Sequence, residues 1–367
     1  MKLIVDKQEL LSKTQIVQVA VASSSNILPI LSHILLDATQ TPPKLTATDL
    51  ELGISTNLHA EVLEPGALTI PARKLVEIVK ELPNIDLTLL GKKNNTVTIE
   101  GERMVFRLSG FPREEFPKVP EVAEAIAVEI DTKTLKGMLE RTMFAISQDE
   151  TRYVLNGALF VLEPNQMSIV STDGRRLAVC VKPTTIAISG TQQRIVPSKT
   201  IHEIVRNLGE DNQNVMMRFS ETQVAFTNGQ TTITSRLIEG EYPNYRQVIP
   251  PPSEQKLRVK CGEFLGAIRR VSLFTTTDSK VVKFDLLKDR VVLSKSTPAL
   301  GDAMEEVAGE YMGKEFSIGF NPAFLLDVLK QIKEDLVSLE MVAPDKPGVI
   351  RIGDEYTYIV LPMQLSQ

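Results

Sequence analysis

The 367-residue chain contains no tryptophan, two cysteines and three histidines, and its aromatic residues make up only 5%. Each shortage removes a class of chemistry. Cys180 and Cys261 stand 81 residues apart, without the spacing of a metal site or a disulfide framework. They read as buried free thiols of a reducing compartment. His33, His59 and His202 are scattered, share no ligand spacing and read as structural or surface residues. No G-x-x-x-x-G-K-S/T loop and no G-x-G-x-x-G turn occurs, so the common phosphate cradles are absent. No apolar run approaches the length that spans a bilayer, and Met1 to Asp6 reads as a strand carrying charges, not as a signal peptide. Asp173, in Ser171-Thr172-Asp173-Gly174, invites a catalytic reading, but a turn before Gly174 explains it more simply. No catalytic residue, metal or cofactor is expected. The chain reads as a soluble cytoplasmic protein without a membrane partner.

What is present is a repeat. Pro71-Ala72-Arg73-Lys74-Leu75, Pro197-Ser198-Lys199-Thr200-Ile201 and Pro322-Ala323-Phe324-Leu325-Leu326 each begin a stretch with apolar residues at helical spacing, and the prolines lie 126 and 125 residues apart. Proline is expected to open each helix, where its missing N–H costs nothing. The period far exceeds a solenoid unit, so it is a whole domain used three times. Phe116-Pro117 returns as Tyr242-Pro243 within proline-rich stretches that read as linkers, and Thr48-Asp49 returns as Thr172-Asp173. The third copy ends at Gln367 without such a stretch. These landmarks divide the chain into domains 1–121, 122–251 and 252–367, each of ordinary size for one core.

Two helices per copy are expected, near 7–20, 72–82, 133–146, 198–208, 261–272 and 322–333. Their net charges are +1, +1, +2, +1, +1 and +1, in a chain whose net charge is −5. Glutamate is as good a helix former as lysine, so uniform positive helices in an acidic chain point to a basic helical surface. Alternating segments such as Thr96 to Ile99, Val105 to Leu108 and Val215 to Phe219 read as strands, separated by turns at Gly91 to Asn95 and Asn228-Gly229. The fold class is α+β, with three similar domains of two helices packed on antiparallel β-sheets.

Leu45 to Glu51, Arg152 to Gly157, Ser171 to Val179, Gly319 to Pro322 and the tail Tyr358 to Leu365 resemble segments of the bacterial sliding clamp, the beta subunit of DNA polymerase III. They follow that family's order from end to end. The resemblance implies the DNA clamp fold in a ring-shaped, head-to-tail homodimer that slides on duplex DNA as a non-catalytic processivity factor of replication. Geometry points the same way. Six helices about 9 Å apart leave a hole of roughly 7 Å, whereas twelve leave roughly 25 Å. Duplex DNA needs about 20 Å.

The resemblance also implies sites. A peptide cleft would use Leu155, Thr172, Gly174, Arg175, Arg176, Leu177, Pro243, Val248, Phe324, Val360, Leu361, Pro362 and Met363. It would serve the replicative polymerase catalytic subunit, the clamp loader and repair polymerases through linear motifs. Core packing is an equal reading for Leu155, Leu177 and Val360. Arg175, Phe324 and Gln247 replace residue types found in relatives, and Ser366-Gln367 extends the usual terminus, which bears on partner preference. DNA would face Arg73, Gln148, Arg152, Tyr153 and Lys199. The loop Ser23 to Asn26 lacks an arginine that some relatives carry. Ring closure would set Phe106 and Leu108 against Leu273 and Phe274 of the other copy, with core packing the alternative for Phe106. A peptide-binding scaffold that ignores DNA, and an enzyme built from dispersed carboxylates, are the competing functions.

Overall fold

The computed structural model describes residues 1–22, 28–119, 122, 125–209, 213–298 and 300–365. The Ser23 to Asn26 loop, the boundary at residue 121 and Ser366-Gln367 lie outside the described residues. The chain forms two compact units: residues 1–135 with 199–237, and residues 136–198 with 238–367. The described helices are α1 (Lys7–Val17), α2 (Ala72–Glu81), α3 (Thr132–Met143), α4 (Ser198–Asn207), α5 (Cys261–Ser272) and α6 (Pro322–Leu329). None is long and apolar enough to cross a membrane.

Strands are numbered along the chain. In the first unit, sheet A runs β5 (Glu61–Glu64), β1 (Lys2–Asp6), β7 (Asp86–Gly91), β8 (Thr96–Gly101) and β9 (Met104–Ser109). Sheet B starts with β10 (Ile126–Asp131), β15 (Asn214–Phe219), β16 (Gln223–Asn228) and β17 (Thr231–Arg236). It continues through β4 (Leu52–Asn57), β3 (Lys44–Thr48), β2 (His33–Asp37) and β6 (Ala67–Pro71). In the second unit, sheet C opens with β14 (Gln192–Pro197), β11 (Gly157–Glu163), β12 (Gln166–Thr172) and β13 (Arg176–Pro183). Next come β25 (Tyr356–Val360), β24 (Gly348–Ile352), β23 (Leu336–Glu340) and β18 (Lys256–Lys260). It ends with β21 (Gly301–Tyr311), β20 (Arg290–Thr297), β19 (Val282–Leu286) and β22 (Phe316–Phe320). Neighbouring strands run antiparallel throughout the described residues, as the alternating patterns predict.

The helices cover one face of these sheets. α1 packs on α2 and against β3 and β4, and α5 packs on α6 and against β20 and β21. In α5 the buried residues Cys261, Phe264, Ala267, Ile268 and Val271 form one stripe. Phe264, Phe284 and Phe320 meet edge to face beneath it, with centroids 6.2 and 5.6 Å apart. Cys180 and Cys261 are buried free thiols, and burial pushes the Cys180 thiol up to about 11.

Several element ends differ from the sequence reading. Pro71 and Pro197 are the last residues of β6 and β14, and only Pro322 lies inside its helix. A ring that fixes φ suits the strand end as well as the first turn, so the proline marks the corner between them. α1 tightens into a 3₁₀ turn at Gln18–Ala20, and α6 stops at Leu329. Beyond it Gln331 and Ile332 donate their amides to the carbonyls of Val328 and Leu329, closing the end with three-residue turns.

The repeat is exact in its hydrogen bonds at one hairpin. Asp49 Oδ1 accepts from the amides of Glu51 and Leu52, as Asp173 Oδ1 does from Arg175 and Arg176. Thr48 and Thr172 each donate a hydroxyl to the carbonyl four residues on. Both turns need a left-handed residue, Gly174 at φ 84° and Leu50 at φ 80°. The left-handed region costs a β-carbon about 1–2 kcal/mol, against about 0.5–1 kcal/mol for glycine's lost entropy. Because Leu50 is 46% exposed, little packing opposes the change. Leu50→Gly should therefore stabilise the first unit by about 0.5–1 kcal/mol. A urea midpoint that falls would show that Leu50 is held by contacts outweighing its strain.

Candidate functional site: a tail-lined groove

The second unit brings the expected cleft residues onto neighbouring elements. β13 pairs with β25, with Arg176 opposite Val360 and Leu177 opposite Ile359. The chain then leaves the sheet as a tail tied at two points. The Leu361 amide donates to the Arg175 carbonyl at 2.9 Å, and the Met363 amide to the Gly319 carbonyl at 2.8 Å. Between them Pro362 has no amide to satisfy. A groove of about 840 Å³ lies between Pro362 to Leu365 and residues 317–319, 344 and 345.

Arg176 is the hub. Its side chain is 10% exposed and donates Nε to Asp173 Oδ2 at 3.1 Å, Nη1 to Asp327 Oδ2 at 2.7 Å and Nη2 to the Phe144 carbonyl at 2.5 Å. Burial alone would lower its pKa; the hydrogen bond to Asp327 and the neighbouring Tyr358, Asp173 and Asp327 charges raise it instead. The guanidinium lies 4.6 Å from the Phe324 ring centroid and 5.4 Å from that of Phe144. The ring of Phe324 thus rests on a cation whose position three acceptors fix. Thr172 donates its amide to Tyr242 Oη at 3.1 Å, and Tyr242 belongs to the same apolar cluster as Leu155 and Leu177.

Leu155, Leu177 and Val360 are buried at 6%, 3% and 0% exposure, so in this conformation they are core; of the expected cleft residues only Pro362 and Met363 line the 840 Å³ groove. Gly174, Arg175, Pro243, Val248 and Leu361 are exposed; Thr172, Phe324, Pro362 and Met363 are half-buried. Apolar side chains with a few fixed polar groups suit a short peptide. Asp327, Phe144 and Tyr242 were absent from the sequence reading of the cleft. Tyr242 alone carried a legible signal, its recurrence with Phe116.

The residues expected to face DNA fall in both units. Arg73 and Lys199 are exposed in the first turns of α2 and α4. Lys199 is ion-paired with Asp49. Gln148, Arg152 and Tyr153 are exposed. An Arg152 Nη atom would lie 2.8 Å from a β-carbon at Gly174, and the Tyr153 hydroxyl 3.1 Å from one at Gly240. Arg152 also approaches Asp149 at 3.9 Å. Lys80, Arg206 and Arg269 are exposed helix cations with no ion pair among the described residues, and the sequence reading did not single them out. No cluster of potential metal ligands occurs among the described residues.

Of the expected interface residues, Leu273 is 73% exposed just beyond α5, with Phe274 half-buried beside it. Phe106 and Leu108 are half-buried on β9, the last strand of sheet A. Phe106 is thus neither pure core nor free surface.

Three modules of helices on antiparallel sheets, ending in a tail that lines a groove, define the class of DNA clamps. The chain matches the N-terminal domain of the DNA polymerase III beta subunit over residues 1–120, the central domain over 129–244 and the C-terminal domain over 246–364. A beta sliding clamp of Chlamydia muridarum is 32% identical over 365 residues, covering 100% of this chain and 99% of that protein. A sliding clamp of Bartonella birtlesii, solved bound to griselimycin, superposes with a TM-score of 0.94 at 30% identity and full coverage of both chains. A DNA polymerase sliding clamp of Pseudomonas aeruginosa, solved with a ligand, gives 0.93 at 30% identity, also over 100% of each chain. The chain belongs to the DNA polymerase III beta subunit family, the bacterial beta sliding clamps. It is a DNA sliding clamp of replication and a non-catalytic subunit of the polymerase.

Gly319 tests whether the tail is built as described. A β-carbon there would lie 2.6 Å from the Met363 carbonyl oxygen and 2.9 Å from Leu365 Cδ2. Gly319→Ala should push the tail off β22 and cost the Met363 amide at least about tenfold in hydrogen-exchange protection, roughly 1.4 kcal/mol, while circular dichroism stays unchanged. Full protection in that variant would mean the tail is held elsewhere.

Proposed function

We propose that two copies of this chain close head to tail around duplex DNA through β9 of one and β21 of the other. The observation that supports this reading is the strand pairing between repeats. β17 pairs with β4, Ile233 opposite Ile54, and β25 pairs with β13, Tyr358 opposite Ala178. The corresponding strands of the first and third repeats, β9 and β21, have no such partner among the described residues. β21 pairs with β20 from Gly301 to Ala308, and only Gly309 to Tyr311 pair with β18 on its other side. Exposed strand edges seek partners.

Carrying the Ile233–Ile54 pairing onto the inward-facing Phe106 and Ala303 sets the register between copies. It places Val105 opposite Met304, 51% and 71% exposed, so two stranded apolar side chains cover each other. It also places Arg107 opposite Asp302 and Arg103 opposite Glu306, and brings Leu108 to Gly301. Complementary charge and apolar contact in one register are what a specific antiparallel pair needs. Leu273 and Phe274, at the end of the helix packed on β21, then cover Phe106 and Leu108.

Inside such a ring the helix cations attract phosphates without reading bases, which permits sliding. Lys80, Arg206 and Arg269 meet DNA, joined by Arg73, Gln148, Arg152 and Tyr153, whereas Lys199 must exchange Asp49 for a phosphate. The surface around Phe324, Arg175 and Val248, beside the tail, takes short segments of the replicative polymerase catalytic subunit, the clamp loader and repair polymerases. One or two apolar anchors at about 1.5–3 kcal/mol each suit micromolar binding and exchange among partners. Replication places the protein in the cytoplasm, and the domain boundaries fall near residues 121 and 251.

A charge swap tests the closure. Arg107→Asp should turn the dimer into folded monomers at micromolar concentration, and adding Asp302→Arg to the same chain should restore the dimer mass. Close ion pairs at interfaces couple by about 1.5 kcal/mol or more, enough for a tenfold change in association. A dimer indifferent to both changes would reject this register.

A further inference from the structure

The two units share one architecture on the outer faces of sheets B and C, but they fill it differently. In the second unit, Val161, Val170, Val179 and Ile359 project from β11, β12, β13 and β25 under the linker residues Tyr242 and Tyr245, forming a closed apolar cluster. The repeat places Asp37, Thr46, Ser55 and Thr234 at those four positions in the first unit, beneath Phe116 and Val119. The same site holds a buried apolar cluster in one unit and a groove of about 1080 Å³ in the other.

Polar residues at positions where the sister site has valine would be a poor way to build a core. Thr46, Ser55 and Thr234 leave hydroxyls on the groove floor, beside Thr227 and Thr232, whose hydroxyls sit 3.2 Å apart. The rim is cationic. Lys44, Lys118 and Arg218 line the groove, and among the described residues none of the three has an ion pair; Arg113 is paired with Asp37 at 3.0 Å. Counting Asp37 and Glu114, which also line it, the groove carries four cations against two carboxylates, a net +2 in a chain of net charge −5. Lys44 on β3 and Arg218 on β15 lie four strand spacings apart in sheet B, about 19 Å at roughly 4.8 Å per strand. An extended peptide covers that span in about six residues at roughly 3.3 Å each.

We propose that this groove under the first linker is a second peptide site, which takes an extended acidic segment of a partner protein. Carboxylates near the segment's ends meet Lys44 and Arg218, with Lys118 above, and its small side chains rest on Leu35 and Ala225 between the threonines. Phe116 is buried, so no exposed aromatic offers a stacking platform for bases, which favours peptide over single-stranded nucleic acid. The site is distinct from the tail-lined groove and does not depend on ring closure.

The test is calorimetric titration of the intact protein with the blocked heptapeptide Asp-Glu-Val-Ser-Val-Glu-Asp, alongside its Lys-for-acid counterpart and a single-stranded oligonucleotide. Saturable binding of the acidic peptide alone is expected. It should weaken at least tenfold in the Lys44→Glu, Arg218→Glu double variant, and also in Thr46→Val, Ser55→Val, which imitates the filled sister site without altering charge. Phe324→Ala, in the other groove, should leave it unchanged, and melting curves check that each variant folds. No saturable binding, equal binding of the basic peptide, or an affinity untouched by both groove variants would overturn the proposal. Preferential binding of the oligonucleotide through the same cations would overturn it too, and assign the groove to nucleic acid.

Discussion

Antiparallel pairing between repeats is the constraint on which the rest depends. β17 lies on β4 and β25 on β13, so the middle repeat is shared: β10 and β15 to β17 join sheet B, while β11 to β14 join sheet C. This explains why the chain forms two compact units although three domains are matched in its sequence. A strand pair cannot slip by one residue without turning each side chain to the wrong face. The junctions are therefore rigid places on which to build sites.

The repeats then diverge at those junctions. Two residues past the corner prolines stand Arg73, Lys199 and Phe324. Lys199 reaches Asp49 across one hairpin; Phe324 lies on Arg176, which Asp173 holds across the corresponding hairpin. Asp49 and Asp173 organise their turns with the same Oδ1 hydrogen bonds, so only the second carboxylate oxygen and the residue opposite it have changed partner. One backbone frame thus carries a simple ion pair in one unit and, in the other, a paired cation covered by an aromatic ring. The faces under the two linkers diverged in the same manner, with valines in one and hydroxyls in the other.

The fold was largely legible because the repeat is strong. Prolines, the Thr-Asp turn and the Phe116/Tyr242 anchors all recur, and each marks a corner whose geometry few residues satisfy. Helix ends were less legible, since the 3₁₀ turns at Gln18–Ala20 and past Leu329 depend on the tertiary packing around them. The family resemblance supplied a candidate set of cleft residues, but not the contacts that hold them. Nothing in the sequence around Asp327 shows that its carboxylate fixes Arg176, 151 residues away. Exposure was equally hidden: Val360 is buried and Val248 is 59% exposed, although both read as apolar residues near the groove.

The central claim is that retention on DNA is topological, with weak phosphate contacts that slide. It is tested most directly by loading the protein onto nicked circular plasmid, washing at high salt, and measuring the bound fraction before and after a single cut. The account predicts retention on the circle, indifferent to salt, and rapid loss once the DNA is linear. Salt-sensitive loss from the intact circle, or equal retention on the linear form, would contradict it.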